Sequence, residues 1–424
     1  MPDIMNKEFL LIRYPVTGIW YLFELCNAIF TPPTRRFEVK VSLEVKLMDC
    51  PHIPSISYTR FGERLNKQVL EKRIPVHGSI ELTFRCNLRC AHCYCNLPAN
   101  NQDAVEKELK TDEILDIFDQ IAEAGCLWLL ITGGEPLLRK DLLEIYTYAK
   151  KKGFIITLFT NGTPMTPEIA DALAEWPPYL VEITLYGATK ETYESITGIP
   201  SSFERCKKGI EHLMEREIPL GLKTMAMTLN HHEVFQIKEY AEQLGVKFRF
   251  DPVLNARLDG SKGPCHFRLS PEEVVKLDLM DEKRVKEWRK FCEKFIGPHP
   301  SDNLFHCGAG IATFHVDPYG QMSTCEMTRF HSYDLRSGSF QEGWNEALAE
   351  FISLKPNGDY PCGRCELIAL CGQCPGWAWL EHNNPQTPVD YLCQIAHLRA
   401  AAFHASQSWK GGRNNGETKN PQIL

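Results

Sequence analysis

The chain has 424 residues, 43% of them apolar and 24% charged, with a formal net charge of −7 and a pI near 6.1. That length exceeds one small core and predicts two or three domains of soluble globular composition, while the acidic balance argues against an electrostatic nucleic-acid footprint, so no nucleic-acid partner is expected. Seventeen cysteines would mean disulfides in a small secreted protein, but no secretory signal with a small-residue cleavage site is present. Several cysteines fall in C-x2-C pairs that suit metal better, and a reducing cytoplasm is the consistent compartment.

Residues 1–79 read as an amino-terminal extension. Its apolar stretch, residues 9–30, is interrupted by Arg13, Pro15 and Glu24, short of the unbroken ~20 apolar residues a membrane helix needs. No membrane partner is expected. Met48 opens MDCPHIP and offers a second candidate start, which would make residues 1–47 a mis-assigned start or a disordered arm.

From Ile80 short apolar runs alternate with amphipathic stretches. Strands are expected at 80–84, 127–131, 155–159, 180–185, 220–225 and 246–250. Between them lie helix-like segments such as 111–123, where Ile114, Ile117, Phe118 and Ile121 fall on one face. Six strands with five intervening helices imply parallel βα units wound right-handedly. This α/β sheet over residues 80–255 can curl into a partial barrel, with ligands at the carboxyl ends of its strands.

Directly behind the first run come Cys86, Cys90 and Cys93. Their C-x3-C-x2-C spacing offers three thiolates to a four-iron cluster and leaves one iron open for chemistry. A zinc knuckle closed by Cys95 or His92 is the bland alternative. After the second run the chain reads Gly133-Gly134-Glu135-Pro136. The glycines permit a turn that side chains would block, and the peptide groups with the Glu135 carboxylate form an acceptor-rich edge suited to a ligand ammonium group. Alone, this stretch also reads as an ordinary turn.

Residues 256–305 read as a bridging helical segment, with charged helices at 270–279 and 283–295. Residues 306–404 then carry Cys307, Cys325, Cys362, Cys365, Cys371, Cys374 and Cys393, for which a zinc ribbon is the plain reading. Residues 405–424, rich in Gly, Asn and Lys, are expected to be disordered.

The cysteine triplet together with GGEP, one strand and one helix apart, resembles the radical S-adenosylmethionine (radical SAM) superfamily over residues 80 to about 252. The carboxy-terminal cysteines resemble its SPASM extension, a small α+β module that holds one or two auxiliary iron–sulfur clusters. The resemblance implies a partial (β/α)6 barrel, a [4Fe-4S] cluster on Cys86, Cys90 and Cys93, and S-adenosylmethionine against Gly133, Gly134, Glu135 and Pro136. Asn161 and Thr184, at the ends of the third and fourth strands, are further candidates for cofactor contact. Position by position it puts Cys362, Cys365, Cys371 and Cys393 on an outer auxiliary cluster and Cys307, Cys325 and Cys374 on an inner one. The inner cluster's fourth ligand is then Cys292, more weakly Cys265, or an open iron. The two-residue gap between Cys371 and Cys374 departs from the family's usual three. Glu326, after Cys325, occupies a place where sulfatase-maturing relatives carry an acid/base Asp, although a solvated Glu fits its longer side chain. Lys223 and Arg249, on later strands, point toward a substrate carboxylate or a structural salt bridge.

The activity so implied is reductive cleavage of S-adenosylmethionine and oxidative modification of a peptide or protein, as in ribosomal peptide maturases. Flavodoxin or ferredoxin is the expected reductant, and a separate peptide-recognition protein a possible partner. The alternatives are maturation of a small-molecule cofactor, such as a haem-pathway decarboxylation, and a non-catalytic iron–sulfur electron carrier.

Overall fold

The computed structural model describes residues 58–95, 97–297 and 302–404. The two candidate starts, the 9–30 stretch and the expected 405–424 tail lie outside those residues. Nine strands form one sheet: β1 His77–Glu81, β2 Trp128–Thr132, β3 Ile155–Thr160, β4 Leu180–Thr184, β5 Leu220–Met225, β6 Lys247–Asp251, β7 Thr313–Val316, β8 Gln321–Ser323 and β9 Tyr333–Asp334, in the order β9-β8-β7-β1-β2-β3-β4-β5-β6. From β1 to β6 every neighbouring pair is parallel. These six strands and their crossover helices make a partial barrel, mostly of apolar runs such as WLLIT in β2, as strands covered on both faces require.

The barrel helices are α1 Thr111–Glu123, α2 Leu142–Lys151, α3 Pro167–Glu175, α4 Lys190–Thr197, α5 Ser202–Glu215 and α6 Val234–Gln243. In α1 the residues Ile114, Ile117, Phe118 and Ile121 are buried against the sheet. Thr166 caps α3 ahead of Pro167, and Thr189 caps α4, each hydroxyl taking a backbone N–H of the first turn.

The first strand lies three residues earlier than the apolar run suggested. Leu82 N–H still donates to Thr132 O (2.9 Å), but beyond it the GGE turn takes the carbonyls: Gly134 N–H donates to Thr83 O (2.7 Å) and Glu135 N–H to Arg85 O (2.9 Å).

The sheet also crosses the boundary expected at residue 306. β7 pairs in parallel with β1, His77 opposite Thr313 and Ile80 opposite Val316, and β8 and β9 continue antiparallel. Helices α7 Pro271–Met280 and α8 Glu282–Phe295 follow the barrel, and α9 Pro375–His382 and α10 Asp390–Phe403 close the described chain. The buried carboxylate of Asp278 in α7 binds Arg284 of α8 (3.0 Å) and Arg399 of α10 (3.0 Å), joining three helices through one charge. Among the described residues no helix is long and apolar enough to cross a membrane.

Candidate active site

The cysteine loop hangs from the end of β1. A two-residue parallel ladder, Arg85–Cys86 against Leu97–Pro98, ties its ends together. Within it the thiols of Cys86, Cys90 and Cys93 lie close together: Cys93 helps raise the pKa of Cys86 and, with Cys86, that of Cys90. Burial foremost, then the nearby Glu135, pushes the Cys86 thiol up to about 12, so iron must displace a proton to bind there. Donors already face that sulfur: Leu88 N–H at 3.4 Å and Asn161 Nδ2 at 3.7 Å. His92 instead packs edge-on against the Tyr186 ring at 4.8 Å.

The two glycines of GGEP are explained by the same loop. At Gly133 (φ +141°) a Cβ would collide with the Thr83 carbonyl, and at Gly134 with those of Phe84 and Arg85. The turn lies flush on the backbone that delivers Cys86. Glu135 behaves differently from its sequence expectation. It is fully buried, and its carboxylate accepts from Leu137 N (3.1 Å), Thr160 Oγ1 (2.7 Å) and Asn161 N (2.7 Å). Burial outweighs these bonds and pushes its pKa up to about 7. The carboxylate therefore joins the ends of β2 and β3, and the edge left for a ligand is made of peptide groups. Pro136 starts the short 3-10 turn that follows. Asn161 Oδ1 accepts from Thr163, which turns its amide toward Cys86. Thr184 ends β4, half-buried and opposite Lys223.

Inside the barrel runs a charged layer the sequence reading only partly anticipated. Glu182 of β4 is gripped by Arg249 (2.8 and 3.0 Å) and lies 3.5 Å from Lys223, whose ammonium sits over the Phe159 ring. Burial, reinforced by Arg249 and opposed by Glu182, brings Lys223 down to about 7. The salt-bridge reading of Lys223 and Arg249 thus describes their present contacts. Next to it Glu81 accepts from Arg329, His315 (3.3 Å) and Tyr94 (3.0 Å), and Arg329 also reaches Asp317 (3.2 Å). Burial pushes the Glu81 carboxyl up, but Arg329 and His315 outweigh it and hold it at about 2. This second network was missed. Its one local signal is a Glu inside a strand buried on both faces.

The carboxy-terminal thiols form two further groups. Burial foremost, then neighbouring thiols, raises pKa values in each: Cys365 acts on Cys362, Cys371 and Cys393, while Cys307 acts on Cys325 and, with Cys325, on Cys374. The short Cys371–Cys374 link still divides the groups, because Gly372 turns the chain in the left-handed region (φ +70°). Cys374 then caps α9, its sulfur accepting from Trp377 N–H (3.2 Å). Cys292 is buried in α8 with Arg399 and Glu293 as its charged neighbours, and Cys265 lies near Arg268, Glu381 and Lys262. Neither has an inner-group thiol among those neighbours. Glu326 is half-buried and close enough for its charge to act on both Lys223 and Tyr94. It also borders a cavity of about 240 Å³ with Arg329, Phe330, Trp379 and Leu258. Among the described residues no three His, Cys, Asp or Glu side chains close on a single metal ion.

The family model of the Radical SAM superfamily matches residues 80–244, from within β1 to just past α6. Fe-coproporphyrin III synthase of Methanosarcina barkeri is 36% identical over 328 residues, 68% of this chain and 80% of the relative. The chain belongs to the radical SAM superfamily. Mycofactocin maturase MftC of Mycobacterium tuberculosis is 27% identical over 324 residues, covering 71% of this chain and 78% of its own. In fold the chain is similar to Streptococcus suis SuiB bound to precursor peptide SuiA, with a TM-score of 0.62, 14% identity and 89% of both chains covered. As a radical SAM enzyme the protein uses a [4Fe-4S] cluster and S-adenosylmethionine, and the cysteine-rich carboxy-terminal region fits the auxiliary clusters of SPASM-type members. The donor set suits such a group: three converging thiols, with N–H donors already aimed at one sulfur.

Proposed function

We propose that this enzyme removes two electrons from an unactivated carbon of a peptide or protein substrate held at the barrel mouth. Cys86, Cys90 and Cys93 hold the radical cluster. The peptide groups of Gly133 and Gly134, with Asn161 and Thr184, position S-adenosylmethionine, and Glu135 and Pro136 fix the turn that presents them. When bound, the cluster and S-adenosylmethionine supply a 5′-deoxyadenosyl radical that takes one hydrogen atom. The barrel wall excludes water from the reacting carbon, and Lys223, held between Glu182 and Glu326, meets a substrate's negative charge.

The observation that carries the oxidative outcome is the inner thiol group beside that mouth. Cys325 belongs to it, and the next residue, Glu326, reaches the charges of Lys223 and Tyr94. Cys307, Cys325 and Cys374 would hold a group able to take the second electron, and Cys362, Cys365, Cys371 and Cys393 one able to pass it outward. Glu326 is placed to accept the proton released with it. A flavodoxin or ferredoxin in the cytoplasm supplies the priming electron, and a separate protein that presents the peptide is compatible with this reading.

A second reading is maturation of a small-molecule cofactor by decarboxylation of a tetrapyrrole side chain, supported by the 36% identity to a protein named Fe-coproporphyrin III synthase. One competition decides between them. Reduced enzyme and S-adenosylmethionine are given short peptides encoded beside the gene or an iron tetrapyrrole that still carries the carboxyl groups iron-coproporphyrin III has lost, with mass spectrometry of substrate and of 5′-deoxyadenosine. The first reading expects a peptide lighter by two hydrogens or by a lost fragment, with equimolar 5′-deoxyadenosine. Turnover of the tetrapyrrole with every peptide untouched would replace it by the second.

A further inference from the structure

Cys95 is a fourth thiol in the cysteine loop, and the proposed function gives it no role. The ladder of Arg85–Cys86 with Leu97–Pro98 brings the chain back beside Cys86 just after Cys95, and Leu97 N–H donates to Phe84 O at 3.3 Å. Tyr94, between Cys93 and Cys95, is pinned at both ends. Its hydroxyl donates to Glu81 (3.0 Å), and its carbonyl accepts from Leu258 N–H (3.3 Å). With Tyr94 fixed, the Cys95 thiol hydrogen-bonds to that of Cys93 and lies within electrostatic reach of Cys86 and Glu81. Four thiols therefore share one loop, whereas the triplet spacing accounts for three ligands of a four-iron cluster.

We propose that Cys95 ligates the fourth iron of the radical cluster in the enzyme without S-adenosylmethionine, and that S-adenosylmethionine displaces it on binding. The inference rests on Cys86, Cys90 and Cys93 being the other three ligands. The exchange replaces one donor by another at unchanged oxidation state, and the released thiolate takes a proton from solvent. Cys95 would then keep the reactive position shut until the co-substrate arrives, and would weaken apparent binding by the fraction of enzyme left open. With the open form at about one molecule in ten, removing the thiol tightens binding roughly tenfold.

The test uses the full chain, reconstituted with iron and sulfide without oxygen, as wild type, Cys95→Ala and Cys95→Ser. Electron paramagnetic resonance of the reduced proteins is recorded with and without S-adenosylmethionine. The auxiliary signal is subtracted with the variant Cys86→Ala/Cys90→Ala/Cys93→Ala. Wild type and Cys95→Ala should differ without S-adenosylmethionine, coincide when saturated with it, and differ in dissociation constant, the Ala variant binding several-fold tighter. Identical spectra without S-adenosylmethionine, or unchanged or weaker binding, would overturn the proposal. Loss of the cluster's iron in both the Ala and Ser variants would also overturn it, by making Cys95 a permanent ligand or a packing group. A triple variant that keeps as much iron as wild type would instead remove the ligand assignment beneath the proposal.

Discussion

At Gly134 a methyl group has nowhere to go, because the carbonyls of Phe84 and Arg85 occupy its place. Gly134→Ala must push the turn away from the loop that carries Cys86. We expect it to cost about 1–3 kcal/mol, as for other overpacked sites, and to lower iron content in step. Parallel measurements of melting temperature and iron per chain check this, and full iron with unchanged stability would contradict it. The side chains of Glu81 make a second prediction. Its pKa lies near 2, below the ordinary 4.5, so its ion pairs add stability above pH 4.5 that is lost as pH falls toward 2. Compared with Glu81→Gln, the wild-type advantage should shrink across that window by about 3 kcal/mol, from 1.36 kcal/mol per pKa unit. A pH-independent difference would show that the Arg329 and His315 contacts do not govern the carboxyl. The chemistry of the triplet and of GGEP was legible because both are local spacings. The Glu81–Arg329 pair was not, because its partners stand 248 residues apart, and the buried placement of Glu135 depends on donors from the next strand.

Among the elements, the fourth and fifth strands were placed nearly to the residue, since apolar runs bounded by turns specify buried parallel strands well. The first strand was displaced because the carbonyls of Thr83 and Arg85 serve the GGE turn rather than the ladder. The pairing of β7 with β1 had no local signal; only the edge of an open barrel needing a partner foretells it. Gly372 is the element-scale feature that reconciles a short C-x2-C link with two separate thiol groups. A β-branched residue in the left-handed region costs about 1–2 kcal/mol, so Gly372→Val should destabilise the protein by that much. It should also lower auxiliary iron while leaving the barrel cluster's S-adenosylmethionine cleavage intact. Auxiliary iron unchanged in Gly372→Val would mean that the turn does not set the division.

Over the whole molecule there are three thiol groups: one in the loop after β1, one that includes Cys325 next to Glu326, and one that includes Cys393 of α10. On the proposed ligand roles the reconstituted protein should hold about twelve irons, four for each group. The barrel and the following segment share one sheet, and β8 ends two residues before Cys325. The most direct measurement is the release of 5′-deoxyadenosine and methionine from S-adenosylmethionine by the reduced, reconstituted enzyme. Wild type should form both in equal amounts, while Cys86→Ala/Cys90→Ala/Cys93→Ala forms neither and keeps about eight irons. Cleavage by that variant, or none by an iron-replete wild type, would contradict the account.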